Sequence, residues 1–213
     1  MHHACLRRTP TSSSILHLLG LSLVVLATTL LMTLTPLAQV RETAIIVNTA
    51  EDELNDGGGD CSLREAIEAA NTDSSVDGCP AGDGDDAILL PAGSYSLALA
   101  GADEDANATG DLDIVAGNLI LMGTGSERTI IDGNRLDRAM HIHGGSTVEI
   151  HGLQITNGKT PDGYPGGVRI WGGGIRNDGV LLLSYSTVIS NTTGEGREAL
   201  VDGGHGGGIY NSG

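Results

Sequence analysis

His141 and His143 alternate with Met140 and Ile142, the period of a strand that sends both imidazoles to one side and both apolar chains to the other. Glu149 and His151 alternate in the same way on the next strand. Imidazoles and a carboxylate on one outward face have the donor types of a surface transition-metal site, and solvated strand positions have the same pattern. A second oxygen-rich stretch is "DEDANATGDLD", residues 103 to 113. Asp103, Asp105, Asn107 and Asp111 have the spacing of the first part of a calcium loop, so calcium is the one cofactor the sequence suggests. The stretch departs from that pattern in having no Gly at the sixth position and Ile114 at the twelfth. Tyr164, just before "PGGVRIWGGG", and Trp171 within it have the flat, amphipathic rings that stack on sugars.

These residues must be held by something, and self-similarity shows what. "WGGGIRNDG" recurs as "HGGGIYNSG", with Gly174 and Gly208, and Asn177 and Asn211, in matching places. "TVEIHGLQITNG" lies over "VLLLSYSTVISN", setting Val148 over Leu181, Ile150 over Leu183 and Ile155 over Val188. Each unit reads as three short strands joined by Gly, Asn or Asp turns. Such strands cannot bury a face alone, but stacked coils make a continuous aliphatic interior. The expected fold is all-β, a right-handed parallel β-helix, with Asn177 and Asn211 stacked as an amide ladder. "LDI", "LILMG", "TIIDG" and "MHIHGG" extend the pattern backward from residue 145 to 112; "AIIVNT", "AILLPAG" and "YSLAL" are strand-like without repeating.

"DCSLREAIEAAN" stands apart. Leu63, Ala66, Ile67 and Ala70 fall on one helical face, leaving Arg64, Glu65 and Glu68 for water. Ser62 and Glu65 form a capping box that fixes the helix start. An N-terminal α-helix with one apolar face suits the task of capping the first coil, whose open end and strand edges invite aggregation.

The chain has 33 Gly, no Phe and a formal charge of −16. So acidic a surface repels phosphate backbones, which argues against a nucleic-acid partner. Residues 1–38 read as an export signal: Arg7 and Arg8 precede an apolar run from Ile15 to Leu34, with cleavage after Ala38. That run is long enough to cross a bilayer, so an uncleaved anchor is the alternative and the only membrane contact expected. Export implies a secreted or cell-surface protein, and leaves Cys61 and Cys79 as an even pair that reads as one disulfide. Closing that loop of about 18 residues stabilises the fold by roughly 3 kcal/mol in the entropic account.

"CSLREAI" after "VNTAEDELNDGGGD", followed by "AANTDSSVDGCPAG", "ILLPAGSY" and the "GGGIYN" coils, resembles the N-terminal region of CSLREA-domain proteins. These are exported bacterial proteins with a right-handed, pectate-lyase-like β-helix. The resemblance runs from about Ala44 onward and implies fold and export, with residues 44–115 as cap region and first coils and 116–213 as further coils. It implies no established activity.

Short motifs like those of polygalacturonases occur at Asn71-Thr72-Asp73, Asp85-Asp86 and Gly204-His205-Gly206, but off the stacked strands where paired carboxylates are needed. Arg135, Arg138 and Arg169 offer a basic residue for lyase chemistry and read equally well as solvated charges. The sequence thus favours a non-catalytic, exported interaction module whose fitting partner is a polysaccharide or surface glycan. The competing reading is a lyase or glycoside hydrolase, in which Asp132 and Arg138 would be the residues to test. Because "GGGIYNSG" opens a coil that its counterpart continues, further coils are expected after Gly213.

Overall fold

The computed structural model describes residues 44–102, 104–115, 117–162, 171–195 and 204–213. Asp103, Tyr164, Arg169 and the expected export signal lie outside them.

The described residues form a parallel β-solenoid built from three sheets and one short helix. The first sheet contains β1 (Ile45–Ile46), β2 (Asp85–Leu89), β5 (Asn118–Met122), β8 (Thr147–His151) and β11 (Val180–Ser184), in that spatial order. The second stacks β4 (Leu112–Ile114), β7 (Met140–Ile142), β10 (Ile175–Asn177) and β13 (Ile209–Asn211). The third stacks β3 (Gly93–Ser96), β6 (Thr129–Asp132), β9 (Gln154–Thr156) and β12 (Thr187–Ile189). All these pairings are parallel, and each successive coil adds one strand to each sheet.

Register follows from burial. Ile88, Leu121 and Ile150 lie side by side in the first sheet and are fully buried, as are Leu112, Met140 and Ile175 in the second and Ile131 and Ile155 in the third. A one-residue slip in any strand would move such a row to water, at about 1.5–3 kcal/mol for each large aliphatic chain. The alignments of Val148 with Leu181, Ile150 with Leu183, Ile155 with Val188 and Asn177 with Asn211 are all pairs in the ladders, and the amide of Asn177 donates to Asn211. The segments that do not repeat in sequence are coil strands too: β1 pairs in register with β2, β2 with β5 and β3 with β6. At a turn between coils, Gly117 has φ +75°, and a Cβ there would stand 2.7 Å from the carbonyl oxygen of Gly84; only glycine fits.

Helix α1 (Leu63–Thr72) packs on β2 and β4. Ser62 Oγ accepts from Glu65 N and Glu65 Oε2 from Ser62 N, both at 3.1 Å, the reciprocal pair of a capping box. Asp73, left-handed at φ 48°, ends the helix. Cys61, at the foot of the helix, forms a disulfide with Cys79 in the loop beyond it.

The expectation that Arg64 and Glu65 face water is overturned, since both are fully buried. Segments on either side of the helix in sequence fold over it and supply the partners these charges require. Glu65 Oε1 accepts from Asn55 N at 2.8 Å, and Arg64 is met by Asp52 and by carbonyls of residues 107 to 111.

Candidate functional site

Alternation along the second sheet sends one residue from each strand outward. In register these are Asp113 (β4), His141 (β7), Arg176 (β10) and Tyr210 (β13). The ladder continues one step past each strand, with the N–H groups of His143, Asp178 and Ser212 donating to Ile114, Ile142 and Asn177. Neighbouring strands lie about 4.8 Å apart, so consecutive members of these rows are forced into contact.

His141 Nε2 lies 3.0 Å from Asp178 Oδ2, and its Nδ1 lies 3.5 Å from Oδ1 of both Asp113 and Asp105. His143 Nε2 lies 2.9 Å from Asp113 Oδ1, and the two imidazoles stack with centroids 3.7 Å apart. Arg176 is 2.7 Å from Asp178. Burial alone would raise the Asp113 carboxyl, but His141, His143 and the Asn107 N–H outweigh it and hold it below the usual carboxylate range. Asp178 is likewise lowered, to about 2, because Ser212, His141 and Arg176 overcome its desolvation.

Both histidines face out of the coil, yet His141 is only 4% exposed. The loop between β3 and β4 covers it, with Asp105 reaching over from that loop. Glu149 and His151 belong to the first sheet rather than the second, so they do not join this cluster; His151 Nδ1 instead meets Ser184 at 2.8 Å.

Of the residues expected to share a calcium ion, the three that are described, Asp105, Asn107 and Asp111, turn to different partners. Asn107 gives its amide to Arg64 O and accepts from Asp113 N. Asp111 faces Arg138 at 3.3 Å, and burial first, then Asp113 and Asp137, raise its carboxyl well above normal despite that cation. Asp105 joins the histidines.

Trp171 stacks on Tyr210 with centroids 4.7 Å apart and stands 6.1 Å from His205. The repeat explains the grouping: Gly172 N donates to His205 O, so Trp171 and His205 hold the same place on consecutive coils, and Tyr210 comes from the outward row. His205 is exposed and the other two rings are half-buried.

The carboxylates considered for catalysis are dispersed. Asp85 and Asp86, expected off the stacked strands, both lie on β2: Asp86 points inward at 5% exposure in the row of Leu119 and Val148, while Asp85 points out and meets Asn118. Asn71 is tied to Asp113 O and Val115 N. Asp132 holds Asn134 N and Asn157, and Arg138 is buried beside Asp111 rather than solvated. An open groove lined by Arg135, Lys159, Asp162, Thr192, Thr193 and Glu195 does hold acid and base groups, with Lys159 bound to Asp162 at 3.1 Å.

Comparison with family models, curated proteins and solved structures found no match to this chain. Among the described residues no helix is long and apolar enough to cross a membrane.

Proposed function

We propose that this chain is a non-catalytic, exported β-solenoid module of the cell surface or extracellular space that binds glycan at the Trp171–Tyr210 face. The stacked ring pair is the observation that carries the reading. The sequence has five aromatic residues of the Trp and Tyr types, and two of them sit together at a surface with an imidazole alongside. Half-buried rings present flat apolar faces to the C–H groups of a sugar while the indole N–H and phenol bond its hydroxyls. With a formal charge of −16, the surface favours a neutral polysaccharide over an acidic one.

The apolar N-terminal segment and the disulfide support export. The "CSLREAI" stretch on α1 supports a place among CSLREA-domain proteins, with right-handed winding and α1 as the cap of the first coil.

Trp171 is the sole tryptophan, so its fluorescence reports this face without background. Titration with neutral and acidic polysaccharides, with unsaturated products and reducing ends followed in parallel, tests the proposal. A saturable change that is lost in Tyr210→Ala and yields no product supports it. Turnover lost in Lys159→Ala would make the protein an enzyme working in the polar groove. Titration without any response would remove the glycan reading.

A further inference from the structure

We propose that Asp105, Asp113, His141 and His143 form a structural site for a zinc-class divalent cation. One ligand atom from each residue can be chosen so that all four lie within 4.8 Å of one another. Ligands about 2.0–2.1 Å from a tetrahedral zinc stand roughly 3.4 Å apart. His141 Nδ1 is 3.5 Å from Oδ1 of both Asp105 and Asp113, and His143 Nε2 is 2.9 Å from Asp113 Oδ1, so three edges are near that value before any ion draws them together.

Two further observations point to a ligand. His141 Nδ1 is buried and makes no hydrogen bond, although it is directed at two carboxylate oxygens. The opposite ring nitrogen, Nε2, is bonded to Asp178 at 3.0 Å, and Asp178 is held in turn by Arg176 at 2.7 Å. A carboxylate behind a histidine fixes its proton on the far nitrogen and leaves the near one as a lone-pair donor, the arrangement found behind metal-bound imidazoles. Asp113 has similar support, since its Oδ2 accepts from Asn107 N at 3.1 Å while Oδ1 faces the imidazoles.

The donor set selects the metal. Two imidazoles and two carboxylates suit zinc and its transition-metal neighbours, whereas calcium takes six or more oxygens. Four protein ligands leave no open position, so the role is structural. Asp105 comes from the loop between β3 and β4, and the same loop is bonded to Arg64 of α1 through the carbonyls of Asn107 and Gly110. The ion would fasten that loop, and through it the helix, to β7.

The test uses the full chain after chelator dialysis, titrated with Zn²⁺ by calorimetry and with Co²⁺ by visible absorption. His2 and His3 are further imidazoles of the full chain, so the decisive quantity is the difference between the native chain and His143→Ala. One equivalent present in the native chain and lost in the variant, with an intense tetrahedral Co²⁺ spectrum, is the expected result. Asp105 is exposed, so Asp105→Asn disturbs no core packing and should weaken Co²⁺ binding and shift that spectrum. Asp178→Asn, a positioning variant, should weaken Zn²⁺ about 10- to 100-fold. Equal zinc stoichiometry in native chain and His143→Ala, or a weak octahedral cobalt spectrum in the native chain, would mean that the cluster is a hydrogen-bonded network holding no ion, and would overturn the proposal.

Discussion

Arg64 Nε lies 2.7 Å from Asp52 Oδ1, and neither side chain is more than 4% exposed. Its Nη2 donates to Asp52 Oδ2 at 3.1 Å, the guanidinium also donates to carbonyls of Asn107, Gly110 and Asp111, and Asp52 Oδ2 accepts further from Ala98 N and Leu99 N. One ion pair therefore joins α1 to the segment before it and to the strand-linking loop after it. Removing one partner of a buried pair leaves an uncompensated charge, at about 3–5 kcal/mol. We expect Arg64→Ala to lose about that much in urea unfolding, and Arg64→Lys to recover only a small part because an ammonium cannot fill the fork. A loss below about 1 kcal/mol would show that the pair contributes little.

The bridge between Cys61 and Cys79 spans a sequence separation of 18 and encloses α1. Its reduction should cost roughly 3 kcal/mol by the loop-entropy account. Intact mass after alkylation, with and without reductant, checks the bond, and urea midpoints under the same two conditions check its effect. Two freely alkylated thiols in native material would refute the pairing.

The coil register was legible in the sequence because like residues recur where like environments stack. Val148 over Leu181 and Asn177 over Asn211 needed only an alignment. β1 to β3 were harder, because "AILLPAG" and "YSLAL" occupy coil positions without sharing the Gly-rich turns. The cluster was half legible. Alternation put His141 outward, and placing "LDI", "MHI", "IRN" and "IYN" in one column would have set Asp113 beside it. Its burial was not legible, because the covering loop lies between β3 and β4 and contacts residues more than thirty positions away. Arg64 failed for the same reason: a helical wheel assigns a face to water without knowing what crosses it.

Ile150 and Leu183 are neighbours in one inward row, yet Ile150 is fully buried and Leu183 is 39% exposed. Burial should therefore separate two otherwise equivalent truncations. Ile150→Ala is expected to cost about 2–5 kcal/mol through lost contacts and a cavity, and Leu183→Ala well under half of that. Equal costs in urea unfolding would mean that Leu183 is covered in solution.

Glu53 gives a pH dependence with a definite sign. Burial first, then Asp56, Asp60 and Glu65 nearby, raise its carboxyl from 4.5 to about 7. Its Oε1 is buried and accepts no hydrogen bond. The folded state thus binds this proton more tightly than the unfolded chain does. Its contribution is unfavourable above pH 7, where both states are ionised, and the penalty fades as pH falls from about 7 toward 4.5. Glu53→Gln, which keeps the shape and removes the charge, should be more stable than the native chain at pH 8 and lose that advantage by about pH 5. Urea midpoints of both proteins across that range provide the measurement. A gap between them that stays constant with pH would show that Glu53 titrates alike in the folded and unfolded states.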